Sequence, residues 1–181
     1  MASDADGRAG RLVEIDPANV ASEDDSLGIG AGSAPPGTYV LLLSLPEATT
    51  LSVGALGTTS LPAGAYAYVG SAFGSNGLAR VDRHRRVAAG EHGVTHWHID
   101  YLGGHPSTSL VGVVAAPHAA VECRLASALR SNADRLEPSP IGGFGASDCD
   151  CPAHLFTASG VETLGSGVAT EFERIVDDAA E

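Results

Sequence analysis

The sequence predicts a mixed α/β (α+β) chain, with a small, mainly antiparallel sheet of three to four strands flanked by helices. Three observations carry this. Residues 38–45, TYVLLLSL, form a near-continuous apolar and β-branched run, the pattern of a strand buried on both faces. Two further strand-like runs, 50–53 and 65–69, follow at spacings too short for the crossover of a dozen or more residues that parallel strands need. Apolar residues at helical spacing then appear in three places, 77–89, 117–131 and 168–180.

Taken in order, residues 1–36 are polar, rich in Gly, Ser and Ala, and close on Ala34-Pro35-Pro36. They read as a flexible acidic leader in which only 11–15 hints at a strand. Order is expected from Gly37. After the strand at 38–45, Pro46-Glu47 turns the chain into 50–53, and 56–64 reads as a loop punctuated by Gly57, Pro62 and Gly64. Residues 65–69, AYAYV, form the third strand, and the Gly/Ser/Asn-rich loop 70–77 lets backbone approach a ligand closely. In the helix at 77–89 the apolar stripe is Leu78, Val81, Val87 and Ala88. HWHIDYL, 96–102, alternates His96, His98 and Asp100 on one face with Trp97, Ile99 and Tyr101 on the other, as a strand would. LVGVVA, 110–115, is another strand; Val121, Leu125, Ala128 and Leu129 mark the helix of 117–131. The glycine-rich loop 141–151, IGGFGASDCDC, leads to His154-Leu155-Phe156, and an amphipathic acidic helix with Phe172, Ile175 and Val176 on one side closes the chain. The expected division is therefore 1–36 leader, 37–157 domain, and 158–181 acidic extension with a helix.

The 181 residues, 44% hydrophobic, suffice for one domain with a core. No apolar run reaches membrane-spanning length and the polar start is no signal peptide, so a cytoplasmic protein without a membrane partner is expected. All ten basic residues are Arg, against 22 acids, for a net charge of −12. Such a composition points to an extreme halophile, since an acidic surface resists association where 1 M salt screens charge over about 3 Å. The acid sits at the ends: 1–36 hold seven acids against two Arg and 158–181 six against one, while 37–157 are nearly balanced at nine against seven. Net charge alone would argue against a nucleic-acid partner. The centre does not carry that argument, because Arg80, Arg83, Arg85 and Arg86 cluster against a single Asp82.

Arg80 and His84, four apart, project from one helix face next to a glycine-rich loop and a strand delivering Tyr68. That corner is suited to phosphate, although an Arg-rich helix face is also an ordinary solvated one. Cys123, Cys149 and Cys151 are too few and too uneven for a secreted disulfide framework. Cys149-x-Cys151-x2-His154, with His96, His98 and Asp100 as companions, has two readings. In one it is a zinc site, with His98 the favoured fourth ligand, in which a turn must bring both cysteines to one ion. In the other, the cysteines are small buried groups and His154 is hydrogen-bonded to Asp100 or Asp148. Cys123 and Trp97 are expected in the core.

Gly37-Thr38-Tyr39 ahead of one strand and Tyr68-Val69-Gly70 on the next resemble the paired signature of the GIY-YIG nuclease superfamily. Arg80 and His84 resemble that superfamily's helix arginine and its histidine-or-tyrosine partner. AYAYVGSA, RVDRHRR, HWHIDYL, VECRLA and GFGASDCDCPAHLF are similar to a poorly characterised, archaeal-type branch of it, over about 37–157. The resemblance implies a metal-dependent DNA endonuclease, active in repair or on structured DNA. It implies Tyr39, Tyr68, Arg80, His84 and Glu122 as the catalytic set, with Mg²⁺ or Mn²⁺ at Glu122. Thr38, where the signature has isoleucine, should pack and not react. A tyrosine, with a pKa of about 10, serves as base only if Arg80 and the metal lower it. Ser71, Arg83, Arg85, Arg86, His96 and His98 are the expected nucleic-acid contacts. Two alternatives remain: a non-catalytic nucleic-acid-binding or accessory module on the same fold, and a zinc-stabilised interaction domain.

Overall fold

The apolar run TYVLLLSL forms the centre of the sheet because both of its faces find cover. A computed structural model describes residues 11–131 and 136–180. Strand β1 spans Val13–Ile15, β2 Gly37–Leu45, β3 Thr49–Ser52, β4 Thr58–Leu61 and β5 Gly64–Ala72. Helices α1 (Arg80–Ala88) and α2 (His98–Gly103) follow, then β6 (Ser109–Pro117), α3 (Glu122–Ser131), β7 (Glu137–Pro138), β8 (Leu155–Ala158) and α4 (Val161–Ala180). Among the described residues the main sheet has six strands in the order β1-β6-β2-β5-β8-β7, with every pairing antiparallel; β3 and β4 make a separate hairpin. The sheet thus exceeds the three to four strands expected, two of the additions being edge strands of three and two residues.

The period of two along β2 divides the core. Tyr39, Leu41, Leu43 and Leu45 face one layer with Leu78 and Val81 of α1, Ile99 and Leu102 of α2, and Phe144 of the glycine-rich loop. Val40 and Leu42 face the other, under Leu125 and Leu129 of α3 and Leu164, Val168 and Phe172 of α4. Helix α4, expected as an extension, is therefore one wall of the core.

The expected leader also contacts the domain where it is described. Val13–Ile15 pair with Val113–Ala115 of β6, and Ile29, 1% exposed, is buried against the α1 and α2 side of the core. Residues 1–10 lie outside the described residues. The stretch 58–61, read as loop, is paired with β3 as β4.

HWHIDYL is not a strand. Trp97 is extended and α2 begins at His98. Asp100, in the first turn, accepts hydrogen bonds from the backbone N–H of His96 (2.8 Å) and Trp97 (3.0 Å). Those donors would otherwise be unsatisfied ahead of the helix, and Gly103-Gly104 ends it. Arg83 closes on the same carboxylate with two bonds of 2.8 Å, locking α2 to α1. Among the described residues no helix is long and apolar enough to cross a membrane.

Candidate functional site

The site forms at the end of the sheet where β2 begins and β5 and β6 finish. Tyr39 stands opposite Gly70 and Leu41 opposite Tyr68, so the two tyrosines are diagonal neighbours on one face. Gly70 is needed there, because a Cβ at that position would come within 2.6 Å of Tyr39 Oη. Thr38, on the opposite face, is fully buried. Its hydroxyl donates to Ala119 O at 2.8 Å and accepts from the Val121 N–H at 3.1 Å, which fixes the start of α3 over the sheet end. Thr38 thus packs, as expected, and it also delivers Glu122, the first residue of α3, to the site.

A cleft of about 470 Å³ results, whose lining includes Tyr39, Tyr68, Arg80, His84 and Glu122, the five residues of the expected catalytic set. Tyr39 Oη lies 2.8 Å from His84 Nε2. Arg80 donates to Ser71 O at 2.7 Å, and its guanidinium carbon stands 4.8 Å above the Trp97 ring. Asp148, Ser71, His96 and His98 line the same space. Phe73 and Trp97, 48% and 39% exposed, stand at its mouth, so Trp97 is not the core residue expected. The Arg83 guanidinium also stands over its ring, 4.2 Å from the centroid.

Burial dominates the electrostatics. It pushes the His84 imidazole down to about 3, with Asp100 opposing and Arg83 and Arg80 reinforcing, so His84 is neutral. It pushes both phenols up; Glu122 adds to the rise at Tyr68, and Arg80 pulls the other way without prevailing. Arg80 thus acts on both phenols in the expected direction, and burial outweighs it. The Asp100 carboxyl would be raised by burial, but Arg83 and the two backbone donors hold it below the usual carboxylate range.

The remaining expected nucleic-acid contacts separate. Arg83 is spent on Asp100, and Arg85 pairs with Asp82 at 2.8 Å and with Glu91 at 3.8 Å. Arg86 is exposed, away from the cleft lining.

The cysteine segment turns back on α3. Among the described residues, the ligand atoms of Cys123, Cys149, Cys151 and His154 lie within 4.8 Å of one another, a Cys3His cluster able to hold a metal ion. His154 Nε2 lies 3.4 Å from Cys149 Sγ, and its Nδ1 lies 3.2 Å from Glu122 Oε1. His98 is elsewhere, its Nδ1 accepting the Gly145 N–H at 3.0 Å, and Cys123 takes the place expected of it. Cys123 is exposed, not core. The helix spacing carried that signal: Leu125 and Leu129 define the buried face, and a residue two positions before Leu125 is turned about 200° from it. Gly145, at φ +73°, lets the loop fold over Tyr68, where a Cβ would meet the ring at 2.6 Å.

The family model described as "Domain of unknown function DUF123" matches residues 38–177, β2 through α4. Comparison with curated proteins and with solved structures gives no match.

Proposed function

The chain belongs to the DUF123 family, and from that premise we propose that its cleft hydrolyses nucleic-acid phosphodiesters, DNA above all, by GIY-YIG-type chemistry. One observation carries the reading: Tyr39 and Tyr68 from two strands and Arg80, His84 and Glu122 from two helices line a single cleft. The resemblance of the Gly37-Thr38-Tyr39 and Tyr68-Val69-Gly70 stretches to GIY-YIG nucleases supports it.

Arg80 offers a planar fork to a phosphate oxygen pair. Phe73 at the mouth offers a face on which a base stacks, and the cleft histidines and Ser71 add hydrogen-bonding groups. Tyr68, kept protonated by burial, can hydrogen-bond both a water and a phosphate oxygen. Tyr39 and His84 share one proton along their 2.8 Å contact; a bound phosphodiester anion favours the imidazolium, so this pair accepts the proton a water loses as its oxygen bonds to phosphorus. Glu122 and Asp148 supply hard oxygen donors, the set suited to Mg²⁺ or Mn²⁺, which keep several waters and need few protein ligands. That ion would neutralise phosphate charge and stabilise the leaving oxygen. For the Cys3His cluster, three thiolates and an imidazole favour zinc. Free thiols suit a cytoplasmic protein, and repair of damaged or branched DNA is the biological setting we favour.

A non-catalytic binding module is the second reading, and the raised tyrosine pKa values favour it, since they leave no preformed strong base. Incubation with branched, nicked and single-stranded DNAs in molar KCl, with and without Mg²⁺ or Mn²⁺, decides. Metal-dependent cleavage of one class supports the nuclease; binding without cleavage of any supports the module.

A further inference from the structure

Glu122 and Cys123 are consecutive, yet one lines the cleft and the other belongs to the thiol cluster. The two places are joined by a single side chain. His154, 1% exposed, has one ring nitrogen on each side: Nε2 faces Cys149 Sγ at 3.4 Å and Nδ1 faces Glu122 Oε1 at 3.2 Å. Among the described residues this buried Nδ1 makes no aligned hydrogen bond, and the Glu122 carboxylate is the acidic group that lies beside it.

We propose that Cys123, Cys149, Cys151 and His154 Nε2 form a closed zinc centre, and that Glu122 serves it from the cleft side by holding the Nδ1–H of the ligand histidine. The inference rests on reading the cluster as a zinc site and is independent of any nuclease activity.

The geometry suits this ion. With zinc–sulfur bonds of about 2.3 Å and zinc–nitrogen bonds of about 2.0–2.1 Å, a tetrahedron has edges of about 3.5–3.8 Å. The observed Cys149–His154 separation of 3.4 Å is close to such an edge, and all four donors lie within 4.8 Å. The turn through 147–151 brings both thiols of Cys-x-Cys to one side, which an extended chain would not. A zinc-bound histidine characteristically donates its other N–H to a carboxylate, which fixes its tautomer and ring orientation. Glu122 is placed to be that carboxylate, and a carboxylate's second oxygen stays available to the cleft. The centre thus ties the loop of 141–151 to the first turn of α3, and the cleft and the zinc site share Glu122 as a common wall. In this scheme Glu122 is a positioning residue for zinc, whatever it does in the cleft.

The test is zinc content and affinity of the full chain, purified with a phosphine reductant and without chelator. Wild type should carry about one zinc per chain, and cobalt substitution should give the thiolate-to-cobalt charge-transfer bands of a tetrahedral sulfur-rich site. Cys123→Ser should lose the metal and His98→Ala should keep it. Titration with a competing chelator should show zinc bound about 10–100-fold more weakly in Glu122→Ala, with circular dichroism of the zinc-loaded variant unchanged. Metal-free wild type, or a disulfide joining two of the three cysteines, overturns the zinc centre itself. Zinc present with unaltered affinity in Glu122→Ala overturns the role given to Glu122 and leaves the centre standing.

Discussion

Tyr39 Oη and His84 Nε2 meet at 2.8 Å across 45 positions of sequence, and the meeting depends on a glycine on a third element. Gly70 leaves the space that the Tyr39 ring occupies on its way to His84. Gly70→Ala should therefore destabilise the fold by about 1–3 kcal/mol, the usual cost of overfilling a packed core. A chemical denaturation midpoint that does not move would show that the ring yields easily.

His84 gives the protein a defined acid sensitivity. Its folded-state pKa of about 3 lies below the unfolded value of 6.5, so the unfolded chain binds the extra proton first. The stability His84 contributes is present above about 6.5 and is lost as pH falls from there toward about 3. Melting temperatures across this window should fall more steeply for wild type than for His84→Gln. Parallel profiles would mean that His84 is solvated and titrates normally.

The Arg83–Asp100 pair fastens α1 to α2, with Asp100 also satisfying two backbone donors. Its side chain is 1% exposed, so Asp100→Ala leaves both the Arg83 charge and those N–H groups without their acceptor. We expect a loss of about 3–5 kcal/mol, the range for breaking one side of a buried ion pair. Unfolding in urea measures it, and a loss below about 1 kcal/mol, the level of a surface pair, would contradict the assignment.

Much of the framework was legible in the sequence, for reasons that also explain the failures. The β2 strand could be read because its signal is local: every side chain from Thr38 to Leu43 is buried, and the apolar run says so. HWHIDYL misled because its alternation fits a strand equally well. What makes it a helix is the Asp100 carboxylate, held by Arg83 from another element and by two backbone N–H groups. The gathering of Tyr39, Tyr68, Arg80, His84 and Glu122 followed from motif resemblance, not from spacing. Cysteine by residue type favours the core, but the Leu125–Leu129 stripe turns Cys123 outward, and helix position decides.

The segment 11–36 is anchored by β1 and by Ile29, so removing residues 1–36 should lower the melting temperature and expose the edge of β6. Limited proteolysis of the intact chain should spare cuts between 13 and 36. Rapid trimming to Gly37 with no loss of stability would restore the division at that residue.

Tyr68→Phe bears on the phosphodiester cleavage proposed for this cleft, because it removes one oxygen and leaves the ring against Phe144. The measurement is the single-turnover rate on the preferred DNA in molar KCl with Mg²⁺, alongside DNA affinity and zinc content. The rate should fall by about 10²–10⁴-fold, with affinity and zinc unchanged. A Tyr68→Phe protein that cuts at the wild-type rate would contradict the proposal.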